Sequence, residues 1–219
     1  MRYELKALLL FAFTSYAVLA FASTSMTENP QIIVYIYDDA QVPRNTLARA
    51  EQQAIDIYAH AGLGIRWVNC IHPGAEVCNS GGEPVNLILR ITMKIARSTN
   101  DAAFGLAYLG ADGNGRYADV FWPRIEHLQA TSKVNAGLIL GAVMAHEMGH
   151  LLLGSNAHAV GGIMEARWQG WQLQQINMGS LLFLPSQAQQ MRTKIIHSVS
   201  AMKESAFPIA LRSIYLKLD

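Results

Sequence analysis

The 219-residue sequence is poor in charge and cysteine. Charged side chains make up 15% of it, and lysine plus arginine outnumber aspartate plus glutamate only 17 to 16. Nucleic-acid binders gain affinity from clustered cations facing phosphates, so a chain with this balance and no basic tract is not expected to be one. Its two cysteines, Cys70 and Cys78, are too few for a small domain built on disulfides. No second cysteine pair or histidine pair stands at finger-like spacing, and His72 alone does not complete a zinc set. Both cysteines fall in one polar stretch containing glycine and proline, and they are expected to close a short local disulfide loop. Beyond the N-terminus no run reads as long and apolar enough for a membrane span.

What the chain does have begins with an export signal. Arg2 and Lys6 form a charged start, Ala7 to Leu19 an apolar segment, and Ala20-Phe21-Ala22 a small-x-small cleavage site. Residues 1–22 therefore read as a signal peptide and 23–219 as a single domain, secreted or periplasmic, with no stable membrane insertion after cleavage. An uncleaved anchor is the alternative, disfavoured because Thr14, Ser15 and Tyr16 interrupt a short apolar run. An oxidising destination agrees with the expected disulfide.

Hydrophobic period divides the rest. Gln31 to Tyr37 is a β-branched and aromatic run, the pattern of a buried strand. Between Pro43 and Ala61, Leu47, Ala50, Ala54, Tyr58 and Ala61 recur at helical spacing, with Gly62 placed to stop the helix. Gly64 to Asn69 and Pro84 to Met93 read as two more strands. Two short extended pieces, Phe104 to Leu109 and Arg116 to Trp122, flank Asp112-Gly113-Asn114-Gly115, a tight-turn sequence. Arg116 occupies the place of an expected oxygen ligand and no glutamate closes the loop, so this is not a calcium site. A helix is expected to start near Val134 to Gly137 and end at Gly154, with Gly137 and Gly141 allowing close packing on the sheet. Downstream, Ser186-x-x-Gln189 behind Pro185 resembles a capping box, and Ala188, Met191, Ile195, Val199 and Met202 form one apolar helical face.

Within the expected helix lies His146-Glu147-Met148-Gly149-His150. Residues four apart share a helix face, so the two imidazoles can serve one metal ion, with Zn2+ the natural choice. Glu147 is offset by about 100° and suits general-base work on a water rather than ligation. Two imidazoles and a carboxylate buried without partners would cost on the order of 1–3 kcal/mol each, a cost that a metal removes. A third ligand must follow. His158, just past the Gly154 break, is the first candidate, Glu165 the second and Glu204 a remote third.

With these residues in view, the sequence resembles the metzincin clan of zinc metallopeptidases, whose signature is His-Glu-x-x-His-x-x-Gly-x-x-His followed by a methionine turn. The resemblance implies His146, His150 and His158 as metal ligands, Glu147 as general base and Met164 as the turn methionine. Gly154 and His158 come one and two residues later than in the clan pattern, and Met164 follows the third histidine closely. The implied fold is α/β (α+β): a twisted mixed sheet with an antiparallel edge strand, an N-terminal helix, an active-site helix and a C-terminal helix. The implied activity is zinc-dependent hydrolysis of peptide bonds in a peptide or protein substrate. A zinc hydrolase acting on a non-peptide or cell-wall amide, or a zinc-bearing binding module without turnover, would share these residues. A local pattern, His-Glu-x-Gly-His-Leu-Leu-Leu-Gly, is also similar to that of exported bacterial proteins of uncharacterised function.

Overall fold

The expected strand at the start of the chain is the middle of a parallel array. β1 (Gln31–Asp38) is buried along Ile32 to Ile36, on both of its faces, as its unbroken apolar run requires. The computed structural model describes residues 29–70, 78, 85–96 and 103–206; the expected signal segment lies outside them. β1 pairs in parallel with β2 (Gly64–Cys70) on one side and β3 (Asn86–Thr92) on the other. β5 (Tyr117–Phe121) continues the parallel set beside β3, and β4 (Gly105–Tyr108) closes the edge antiparallel to β5. The order is β2-β1-β3-β5-β4, the mixed sheet with an antiparallel edge expected from the sequence.

One face of the sheet carries the main core. Ile32, Val34, Ile36, Leu87, Leu89, Ile91, Ala118 and Val120 meet α1 (Arg44–His60) and α3 (Ala136–Leu153) there. On the other face Ile33 and Tyr35 cluster with Cys70 and Cys78, which form the expected disulfide with their Cα atoms 6.1 Å apart.

α3 runs through the centre of this core. Asn135 caps its start by accepting from the Gly137 and Leu138 N–H groups, and Gly154, at φ 68°, turns the chain out of it. Every residue from Ala136 to Leu152 is buried. Contrary to the reading of the sequence, α3 is long and apolar enough to cross a membrane; its embedded glycines, histidines and glutamate disguised the run. Its surroundings are the protein's own side chains. A second correction concerns Gly137 and Gly141, which face α1 rather than the sheet. A Cβ on them would stand 2.8 Å from the Thr46 carbonyl oxygen and 2.5 Å from that of Ala50.

Two helices escaped the sequence reading. α2 (Trp122–Ser132) follows β5 with no loop, so Trp122-Pro123 looked like a strand end although proline suits a first helical turn. α4 (Gly170–Met178) is short and is capped by a reciprocal Gln169–Gln172 pair in place of the usual serine, threonine or aspartate. α5 (Pro185–Ala206) packs Ala188, Met191 and Ile195 inward as expected. Its N-terminal cap is corrected by two residues: the Leu184 N–H donates to Gln187 Oε1 at 3.0 Å, and the Ser186–Gln189 box is not what closes the helix.

Candidate metal centre

The chain brings three imidazoles together within a short span. His146 and His150 project from the same face of α3, and both are buried, 8% and 4% exposed. At Gly154 the backbone leaves the helix, with the Gly154 and Ser155 N–H groups both donating to the His150 carbonyl. The loop then returns His158, whose ring centroid lies 5.4 Å from that of His146 and 5.0 Å from that of His150. One nitrogen from each of the three rings lies within 4.8 Å of the others. The late position of the third histidine is therefore no obstacle, because the excursion through Ser155 to Ala157 absorbs the added length.

Hydrogen bonding decides what this cluster suits. His146 Nδ1 faces the Ile163 carbonyl at 2.7 Å, and His150 Nδ1 faces the Ser155 carbonyl at 2.8 Å. A carbonyl only accepts, so both Nδ1 atoms carry the proton and both Nε2 atoms present lone pairs. Those Nε2 atoms are 3.0 Å apart. Satisfying them with a proton requires an imidazolium, which burial opposes: desolvation, then the neighbouring imidazoles, push His146 down to about 3. His150 and His158 are lowered by desolvation as well. Facing lone pairs that resist protonation are relieved by a cation, and carbonyl-oriented imidazoles of this kind are how proteins prepare histidines for a metal. The donor set, three neutral nitrogens, suits zinc.

Glu147 is 4% exposed, and desolvation raises its carboxyl to about 8, opposed in part by the Ala107 N–H that bonds to it. Gly105 makes room for this side chain: a Cβ there would stand 2.6 Å from Glu147 Cγ and 2.6 Å from the Asp119 carbonyl oxygen. Glu147 is thus set by the edge strand as much as by its own helix. Glu147 and the three histidines open onto one cavity of about 460 Å3, lined also by Phe104, by the β4 residues Gly105 to Ala107 and by Glu165 to Trp168. The Phe104 and Trp168 rings stack at 6.1 Å, and Trp168 meets the edge of His146 at 5.7 Å.

Met164 lies in a tight turn. The Glu165 N–H returns to the Gly162 carbonyl, Gly162 has φ 73°, and the Ile163 N–H reaches across to the Leu182 carbonyl. Met164 is fully buried, and its sulfur occupies the space over Gly149, 2.7 Å from where a Cβ would be. The glycine inside the His-Glu-x-Gly-His run is therefore the seat of the methionine. Glu165, the alternative ligand, is not among the residues brought together; its Oε2 accepts from Gln172 Nε2 at 2.7 Å.

The sequence reading missed Gly105, Ala107, Phe104 and Gln172. Of these only Gly105 carried a signal, an unexplained glycine at the start of a strand. Trp168 walls the cavity, whereas Trp171 is 53% exposed and lies outside the cavity lining.

No family model matches the chain, and no curated protein matches it. Among solved structures, eleven chains match. Archaemetzincin from Methanopyrus kandleri is similar with a TM-score of 0.50 and 15% sequence identity, over 78% of this chain and 98% of that one. At that identity the likeness is one of fold: the sheet and helices described above follow the archaemetzincin arrangement over nearly all of that protein.

Proposed function

We propose that this protein is an exported zinc-dependent peptidase in which His146, His150 and His158 hold the ion, Glu147 is the general base and Met164 is the turn methionine. The observation that carries the reading is the shared cavity: a buried carboxylate opens onto the same space as three imidazoles whose Nε2 or equivalent atoms converge. A zinc ion bound there would supply Lewis acidity toward a carbonyl and toward water. The chain's own residues do the rest. Glu147, fixed by the Ala107 N–H and pressed against Gly105, takes a proton from water and returns one to the departing amine. Its high proton affinity in the metal-free protein comes from burial, and a divalent cation nearby favours the charged, proton-accepting form. β4 is the outermost strand, and its free edge runs along the cavity, where an extended peptide can add by backbone hydrogen bonding. Phe104 and Trp168 narrow the space and exclude water. The N-terminal segment and the Cys70–Cys78 bond support an extracytoplasmic site of action.

Digestion of a fluorogenic peptide library tests this. Chelation should abolish cleavage, zinc should restore it, and Glu147→Gln should keep zinc while losing ~10²–10⁴-fold in rate. Equal turnover by wild type and Glu147→Gln at matched zinc content would refute the assignment, and cleavage of non-peptide amides alone would move the substrate class.

A further inference from the structure

We infer that Glu165 provides the cavity with a seat for a cationic group of the substrate, an ammonium or guanidinium adjoining the bond to be cut. The inference rests on the peptidase reading above and adds to it the chemistry of what is preferred.

Glu165 follows the buried Met164 directly and lines the cavity without joining the histidine cluster. Its position is fixed from three sides. Its N–H bonds back to the Gly162 carbonyl, its backbone bridges to Ala159, and its Oε2 accepts from Gln172. Gln172 is itself only 2% exposed, and its Oε1 is occupied by the Gln169 N–H at 2.9 Å, so the amide that holds Glu165 has one orientation. This is a carboxylate held in place by a neutral partner. Among the described residues the ion pair is Arg90–Asp119, and no cation is paired with Glu165. Arg167, the lysine or arginine of the same wall, is exposed and solvated, so water screens its charge more than that of the half-buried Glu165. The lining of the same cavity includes the apolar side chains of Leu106, Val143 and Trp168. A cavity with apolar lining and a fixed, unneutralised carboxylate matches a long aliphatic stem with a cationic head. A free N-terminal ammonium presents the same head on a shorter reach.

The two sources are separated by a set of peptidyl hydroxamates binding to the zinc-loaded protein. They differ only in a lysyl, norleucyl or glutamyl side chain, and each is made with a free or an acetylated amino terminus. The matched peptides are tested for hydrolysis in parallel. The inference expects at least ~10-fold tighter binding of one cationic form, set by side chain or by terminus, over its neutral counterpart. Glu165→Gln, isosteric and still able to accept from Gln172, should bring that ratio close to one, and Glu165→Lys should turn the preference toward glutamyl. Hydrolysis without charge preference overturns the inference and leaves the peptidase reading standing. Cationic preference in binding with no hydrolysis of any peptide does the reverse. A preference that survives in Glu165→Gln assigns the cation to another group and overturns the inference.

Discussion

A methyl group placed on residue 149 sets two opposed effects against each other. In a helix interior, glycine to alanine is worth about 0.8–1.0 kcal/mol in favour of folding. Position 149 sits deep in α3, so propensity alone makes Gly149→Ala stabilising. The structure says otherwise. The added Cβ would lie 2.7 Å from Met164 Sδ and 2.8 and 3.2 Å from two ring carbons of Phe183. Relief requires shifts of about 1 Å to reach ordinary contact distance. Met164 is fully buried, and the Phe183 ring is held against Tyr58 at 5.0 Å, so neither has a free direction to retreat. Overpacking of this kind costs ~1–3 kcal/mol. The expected net is a loss of about 1 kcal/mol in the metal-free protein. A displaced Met164 also pulls on the Ala159 N–H that donates to its carbonyl at 2.8 Å, next to His158, so zinc affinity should fall. Urea denaturation with chelator present measures the first effect, and zinc titration against a competing chelator the second. A Gly149→Ala protein about 1 kcal/mol more stable than wild type, with unchanged zinc affinity, would refute the account of the methionine seat.

Other outcomes follow from the same geometry. In zinc competition titrations, His158→Ala should lose at least ~100-fold in affinity, since even supporting residues of metal sites cost 10–100-fold, while Glu165→Ala should stay close to wild type. Gly105→Ala should leave zinc content intact but lower turnover by ~10²-fold, because it displaces Glu147, and misplacement by about 1 Å has that effect. For the metal-free protein, the His146 shift is downward, so its contribution is complete above the unfolded value near 6.5 and is lost as pH falls toward 3. The Glu147 shift is upward, so its contribution is complete below 4.5 and is lost as pH rises through 8. Stability measured with chelator should therefore decline from pH 6.5 to 9 in wild type, and a decline of equal slope in Glu147→Gln would contradict the burial argument.

The sequence disclosed the histidine cluster because its parts are close together and use a rare residue type, two of them at helical spacing. His146 and His150 needed only the 3.6-residue period, and His158 only a glycine break before it. Cys70 and Cys78 were legible for the same reason, as the two cysteines of one short loop. What stayed hidden depends on parts of the chain that meet only in three dimensions. No local pattern says that Gly105 and Ala107 lie against Glu147, about 40 residues on. Gly137 and Gly141 announced a close approach, yet only the packing of α1 shows which backbone approaches. α2 and α4 were missed where ordinary boundary signals failed, one helix starting without a loop and the other capped by glutamines.

The distance along the chain between interacting parts has a further consequence. All three imidazoles, and the two carbonyls that orient His146 and His150, come from residues 146–163. Sheet pairing spans far more chain: Ile33 of β1 meets Asn86 of β3, about 50 residues away. The entropy of closing a loop grows with its length, so the ligand span is among the least costly parts of the molecule to close. Glu147 belongs to that span in sequence, but the N–H and the glycine that fix it arrive with β4. By loop closure alone, the span that gathers the three imidazoles costs less to close than the contact between Glu147 and β4, about 40 residues apart, so the histidine cluster is the more local feature and the placement of Glu147 the more dependent on the whole sheet.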